Sequence, residues 1–175
     1  GFPDELFRRL GGYGVGEFGQ PIVDLGTGTG SLARGLARRG ARVTGVDLAE
    51  TLVAEAKRLD AEAGLRIDYV IAPAEATGLP GGSFEVVTAG QCWHWFDRAC
   101  AASEARRLLA PRGLLCIAHF DWIPRPGSVV EATEALIEAH NPAQPKPHVR
   151  FAGGQGLYSE WLRDAAIAGF GSIET

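Results

Sequence analysis

The chain has 175 residues, the size of a single domain with room for a sizeable core, which excludes a disulfide-stapled miniature scaffold. Hydrophobic residues make up 46% and charged residues 22%, and no apolar run approaches the roughly 20 residues that span a bilayer, so a soluble domain without a membrane partner is expected. Lys and Arg number 17 against 21 Asp and Glu, a net charge of −4 with no basic stripe, which argues against a nucleic-acid partner.

The three cysteines, Cys92, Cys100 and Cys116, form no CxxC pair and leave an odd thiol, so a reducing compartment, the cytoplasm, is expected. FPDELFRRL does not read as a secretory leader, so none is expected, and the chain contains no Met, so further residues are expected before Gly1. Glycine is frequent, 24 residues, but it lies scattered between apolar runs, where it punctuates turns.

From Ile22 to Ile117 short apolar runs alternate with segments of helical period, the pattern of βαβ units around a parallel sheet. IVDL at 22–25 reads as the first strand, followed by GTGTG and a helix from Ser31 to about Arg39. RVTGVD at 42–47 is the second strand. Leu52, Ala56, Leu59 and Ala63 recur at steps of four, three and four, so 50–63 reads as a helix with that apolar face on the sheet. IDYVIA at 67–72 and FEVVTA at 84–89 are the third and fourth strands, separated by a stretch in which Pro80, Gly81 and Gly82 exclude a helix.

Asp97 is placed to cap a helix to about Ala110, PRG at 111–113 reads as a turn, and LLCIAHF as a fifth strand covered on both faces. Beyond Phe120 the alternation stops. Ser128 and Glu131 have capping-box spacing and open a helix to about His140. The proline-rich 141–147 then leads to a last helix from Ser159 to Ala168, and GFGSIET reads as the start of another strand. The expected architecture is one α/β domain over 1–175, a Rossmann-like, doubly wound, mostly parallel sheet with helices on both faces, hence a three-layer αβα sandwich. It is expected to be incomplete at both ends, with 120–156 an irregular, partly helical insertion forming part of a substrate lid.

The sharpest chemical feature is VDLGTGTG at 23–30. Gly26, Gly28 and Gly30 permit backbone angles and close ligand approach that a Cβ would block, and the helix beginning near Ser31 turns free N–H groups and its positive dipole end toward the same place. Gly28, Gly30 and Ala33 also satisfy the dinucleotide spacing GxGxxG/A, which keeps a nicotinamide dehydrogenase open as a rival. Asp24 counts against it, because an anion beside the loop repels a pyrophosphate and favours a ligand carrying positive charge. Asp47, at the end of the second strand and 19 residues after Gly28, can accept from two ribose hydroxyls or simply cap the next helix; the glycine loop beside it favours ribose.

These residues resemble the class I S-adenosylmethionine-dependent methyltransferases of the small-molecule type, built on one Rossmann-like domain. The resemblance covers about 21–117 and rests on VDLGTGTG, VTGVDLAE, PAEATGLP and SFEVVTAGQCWHWFD, in that order. It implies S-adenosyl-L-methionine as cofactor, S-adenosyl-L-homocysteine as product and a small-molecule methyl acceptor as partner. It also implies that Asp24 and the backbone of Gly26, Thr27 and Gly28 hold the methionine part, that Asp47 takes the ribose and Leu48 packs on adenine, and that Ala74 and Glu75 flank the adenine edge. Pro73 departs from the family pattern, in which an acidic residue accepts from the adenine amino group, so Glu75 or a backbone carbonyl takes that part. Phe2 and Arg8 are remnants of the preceding segment with which family members cover the methionine carboxylate.

GQCWHWF at 90–96 follows the fourth strand, and ligands of open α/β sheets bind beyond the carboxyl ends of the strands. Gln91 is therefore grouped with the cofactor residues, and Trp95 with the acceptor. His94 is the candidate general base, with ordinary packing between two tryptophans as its competing explanation. His119, Trp122 and Tyr158 are further candidates for the acceptor pocket, and Cys92 reads as a small buried apolar residue. No metal site is expected, because His140 and His148 lack a Cys or HxxxH partner. A non-enzyme rival, a regulatory protein that binds the cofactor without turnover, shares every cofactor motif.

Overall fold

A parallel strand must be covered on both faces, and the alternation along β1 (Pro21–Leu25) shows how this chain meets that demand. The structure, a computed structural model, describes residues 1–120, 125–141 and 159–171. Ile22 points to one side of the sheet, where it packs with Val43, Val86, Phe7 and Leu10 of α1 (Asp4–Gly12), and Leu32, Ala33 and Leu36 of α2 (Ser31–Ala37). Val23 and Leu25 point to the other, where Val46, Val87, and Ala105 and Leu108 of α4 (Arg98–Leu108) close the core. A third cluster joins Ala89, Trp93, Ala101 and Ala102 to Trp161 of α6 (Ser159–Ile167).

The strands β2 (Arg42–Asp47), β3 (Asp68–Ile71), β4 (Phe84–Gly90) and β5 (Leu109–Ala118) complete a parallel sheet in the order β3-β2-β1-β4-β5. The chain steps from β1 through β2 to β3 in one direction, with α2 and α3 (Glu50–Glu62) as crossovers, and then returns to the far side of β1. Right-handed crossovers put helices from the two directions on opposite faces, so the connections diverge at the carboxyl ends of β1 and β4 and leave a crevice there. The doubly wound three-layer sandwich is therefore present. α5 (Val129–His140) stands outside this rhythm, with Ser128 Oγ accepting from Glu131 N–H at 3.1 Å as a cap and no buried residue of its own. Among the described residues no helix is long and apolar enough to cross a membrane.

Several sequence expectations are corrected. The buried stripe of α3 is Val53, Ala56 and Asp60, whereas Leu52 is 41% exposed and Ala63 lies at the open end. The reason is Asp60, which turns inward to Arg34 and Tyr69 and rotates the stripe by one residue, a polar contact that apolar periodicity does not register. β5 is an edge strand among the described residues, mostly half-buried rather than covered on both faces. The PRG turn lies inside β5 as a bulge. Glu85 alone separates the paired Phe84 and Val86, while Ala110 to Gly113 separate their partners Leu109 and Leu114, with Arg112 at φ +66°. α4 accordingly ends at Leu108, two residues short of the expected Ala110. Of the strand expected from GFGSIET at 169–175, residues 169–171 form a turn and irregular backbone instead and 172–175 lie outside the described residues, as do 121–124 and 142–156 of the expected insertion.

Gly35 is where α2 meets α1 most closely, because a Cβ there would lie 2.0 Å from Cζ of the buried Phe7. Ala is the better helix former by about 1 kcal/mol, yet Gly35→Ala is expected to lower stability by about 1–3 kcal/mol through overpacking. Urea denaturation of Gly35→Ala, Phe7→Leu and the double variant checks this, the double variant losing less than the sum of the two.

Candidate functional site

The loop after β1 is shaped by two kinds of glycine. Gly26, at φ +62°, packs under the loop that follows β4: a Cβ there would lie 2.8 Å from Phe96 Cζ and 2.9 Å from Cys92 Cβ. Gly28, at φ +56°, has nothing within 4 Å of its Cβ position and faces open space. Gly26 thus allows two loops to touch, and Gly28 leaves room for something else. Thr27 N–H donates to Val46 O at 3.0 Å and Gly30 N–H to Thr27 O at 2.9 Å, tying the loop to the end of β2 and into the first turn of α2.

Asp24 lies beneath this loop and is 1% exposed. Its neighbour in the sheet register is Thr88 on β4, whose hydroxyl donates to Oδ1 at 2.7 Å; the Thr27 hydroxyl donates to Oδ2 at 2.7 Å. Burial pushes the carboxyl up to about 6, against the pull of these two hydroxyls and the Ala33 backbone N–H, and the nearby Asp47 charge raises it further. Both carboxylate oxygens are thus bonded within the protein, Oδ1 to β4 and Oδ2 to the glycine loop.

Asp47 stands at the half-buried end of β2. Its Oδ2 accepts from Gly28 N–H at 2.7 Å and its Oδ1 from Ala49 N–H at 2.9 Å, so the carboxylate holds the glycine loop and the entry to α3 at once. The N-cap of α3 is Ala49, without a side-chain cap bond, so Asp47 does not cap the helix as one reading of the sequence had it; its carboxylate lies at the rim of the crevice beside Gly28. Leu48, next in line, is 68% exposed. Ala74 is buried, and Glu75 Oε1 accepts from Asp97 N–H at 2.8 Å, which places Glu75 between the β3 connection and the start of α4.

Beyond β4, Gln91 adopts φ +61° and donates from Nε2 to Phe120 O at 3.2 Å. Cys92 donates from Sγ to Leu25 O at 3.1 Å, and burial raises its thiol well above the ordinary range, so it stays protonated and packs as a small apolar group. Trp93, His94 and Trp95 form a short 3₁₀ turn with only its first residue turned inward. Trp93 is buried; His94 is exposed, and so is Trp95. The His94 ring lies 4.9 Å from Trp95 and 5.5 Å from His119, the latter edge-on at 84°, and His119 in turn meets Trp161 edge-on at 5.5 Å. Partial burial and the facing His119 lower the His94 pKa from its ordinary 6.5.

The crevice ends of β1, β2 and β4 therefore carry Asp24, Gly26, Thr27, Gly28, Asp47, Leu48 and Gln91, with His94, Trp95 and His119 at the β4–β5 side. Trp122 and Tyr158 lie outside the described residues. Phe2 does reach the sheet, its ring 2.7 Å from where a Gly90 Cβ would stand and 5.7 Å from Phe120, but Arg8 pairs with Glu5 on the exposed side of α1 and is no site residue. Sequence reasoning passed over Thr88 and Trp161. Thr88 is a polar residue in an apolar strand, a signal that was available; Trp161 comes from a helix whose place beside β4 no local pattern announces.

A doubly wound sheet with a glycine loop at its switch point and an acidic end to the adjacent strand defines a Rossmann-like α/β protein. The chain belongs to the methyltransferase domain family, whose model matches residues 23–117, from the glycine loop to β5. It is 39% identical over 107 residues to demethylmenaquinone methyltransferase of Thermus thermophilus, covering 59% of this chain and 49% of that protein. To the ubiquinone biosynthesis O-methyltransferase of Stutzerimonas stutzeri it is 30% identical over 156 residues, covering 89% and 50%. Among solved structures, an S-adenosylmethionine dependent methyltransferase from Mesorhizobium loti superposes with a TM-score of 0.51 at 32% identity, over 56% of this chain and 45% of that one. The chain spans about half the length of the curated relatives it matches.

The carboxyl of Asp24 yields a pH signature. A group whose pKa rises on folding contributes stability that is complete below its unfolded value near 3.8 and is lost as pH climbs through about 6. Two units correspond to about 3 kcal/mol. Asp24→Asn, which keeps the shape of the protonated acid, is expected to match the wild type at pH 4 and to exceed it by that order at pH 7.5, as read from urea denaturation midpoints.

Proposed function

We propose that this protein binds S-adenosyl-L-methionine in the crevice at the ends of β1, β2 and β4 and transfers its methyl group to an oxygen, nitrogen or carbon atom of a small molecule. The observation that carries the reading is the open approach to Gly28 with the Asp47 carboxylate at its rim, inside the segment that matches the methyltransferase family. The residues fit the cofactor in chemistry, and Gly28 leaves open space beside them. Each carboxylate oxygen of Asp47 has a second acceptor position beside the N–H it already takes, so it can receive two ribose hydroxyls. Leu48 offers an exposed apolar face to adenine, and Ala74 with Glu75 flanks its edge, Oε2 of Glu75 accepting from the amino group that Pro73 cannot serve. The backbone of Gly26, Thr27 and Gly28, held from below by Asp24, takes the methionine part, with Gln91 opposite.

When bound, the cofactor supplies a methyl group already activated by its sulfonium. What the protein adds is chiefly position: holding acceptor and methyl in near-attack geometry can remove roughly 7–11 kcal/mol of barrier. We assign the acceptor to the β4–β5 side, against Trp95 and His119, with Trp122 and Tyr158 as further contacts. His94 takes the acceptor proton. Its lowered pKa keeps the imidazole neutral at pH 7, the form a base requires. The three free thiols accord with a protein that works in a reducing compartment such as the cytoplasm.

Calorimetric titration of the full-length protein with S-adenosyl-L-homocysteine, and separately with NAD, tests the cofactor. Micromolar binding of the first that is lost in Asp47→Ala is expected; binding of NAD alone would restore the dehydrogenase reading. Cofactor binding without turnover on any acceptor of a broad panel would instead favour the regulatory reading. For the base, His94→Ala is expected to lower kcat by about 10²–10⁴, and the wild-type kcat should fall only as pH drops below 6.5, where His94 becomes charged. Wild-type turnover by His94→Ala across pH 6 to 9 would rule this role out.

A further inference from the structure

Behind the glycine loop, on the side away from the crevice, a buried polar network joins three elements to one loop carbonyl. Arg34 of α2 donates from one terminal nitrogen to Thr29 O at 2.7 Å and from the other to Asp60 Oδ1 and, at 3.4 Å, to Ala56 O on α3. Asp60 takes its second bond at Oδ2 from the Tyr69 hydroxyl of β3, at 2.7 Å. The ion pair is almost fully enclosed, with side-chain exposures of 11% for Arg34 and 5% for Asp60. Tyr69 reaches this point because Gly45 has no side chain, a Cβ there falling 2.6 Å from the ring, and its hydroxyl would stand 2.5 Å from a Cβ on Gly30.

A buried ion pair contributes little net stability compared with well-packed apolar residues of the same volume, since removing two charges from water offsets their attraction. Stability alone therefore does not account for placing Arg and Asp here. What this pair does that apolar side chains cannot is hold a particular carbonyl. Thr29 O is fixed by a planar guanidinium whose own orientation is set by Asp60, and Asp60 by Tyr69. With the Thr29–Gly30 peptide so held, the Gly28 and Gly30 amides and the first turn of α2 keep one orientation toward the crevice.

We infer that Arg34, Asp60 and Tyr69 are positioning residues that set cofactor affinity by fixing the glycine loop from behind. The inference rests on the proposed cofactor site, and it touches neither the cofactor nor the acceptor directly. It predicts a split in kinetics: substitutions here raise the KM for S-adenosyl-L-methionine and leave kcat at saturation within about twofold, because the reacting groups on the β4–β5 side are untouched.

The test uses Arg34→Lys, which can keep the pairing with Asp60 but cannot also reach Thr29 O, and the double variant Arg34→Met/Asp60→Leu, which removes both charges together. Thermal denaturation, calorimetric affinity for S-adenosyl-L-homocysteine, and amide exchange at Gly28 and Gly30 in the ligand-free chain are measured for each. The expected result is faster exchange at those two amides and affinity weakened about tenfold, equivalent to about 1.4 kcal/mol, with the double variant melting close to the wild type. Unchanged exchange and affinity within twofold of the wild type in the folded double variant would overturn the inference. Faster exchange in a protein whose wild type binds no S-adenosyl-L-homocysteine would instead defeat the cofactor reading while leaving the network's hold on the loop demonstrated.

Discussion

The fold turns on one topological constraint: β1 lies between two strands that the chain reaches from opposite directions. Because right-handed crossovers place α2 and α4 on opposite faces, the ends of β1 and β4 cannot be closed by the helices that cover the rest of the sheet. The bond from Thr88 to Asp24 crosses this divide, strand to strand, at the level where the chain leaves the sheet. Everything in the candidate site hangs from that point: the glycine loop above Asp24, Asp47 one strand away, and the 92–96 turn at the far lip.

Buried acids in this chain show how partners decide what a carboxylate becomes. Glu104 on α4 is buried, yet Arg107, together with the Thr77 hydroxyl and N–H, holds its pKa down to about 2. Asp24 is offered hydroxyls and one backbone N–H but no cation, and burial prevails. Asp60 is enclosed with Arg34. Of the three, Asp24 is the one bonded by hydroxyls where Glu104 and Asp60 each meet an arginine.

The segment that matches the methyltransferase family carries acids that are already bonded within the fold. Asp24 is buried and bonded to Thr27 and Thr88, Asp47 is engaged with Gly28 and Ala49, and Glu75 with the start of α4. These side chains organise their own loops first. A site whose polar groups are already satisfied by the fold needs little rearrangement to receive a ligand.

Much of this was legible in the sequence, because the signals are local. Short apolar runs marked all five strands, and the glycines at 26, 28 and 30, with Asp24 and Asp47 at strand ends, marked the loop. The capping residues Asp97 and Ser128 announced their helices through their own backbone bonds, at 3.1 Å each. What depends on a distant partner was not legible. The buried stripe of α3 is decided by Asp60 meeting Arg34 and Tyr69, residues 26 and 9 positions away. The depth of Asp24 is decided by Thr88, 64 positions on, and the surroundings of His94 by His119 and Trp161. Sequence alone determined the elements and the loop chemistry, since backbone angles and side-chain periodicity act over a few residues. Only the tertiary structure decided which charges are buried and which rings meet, since those depend on contacts made when the strands assemble in their crossed order.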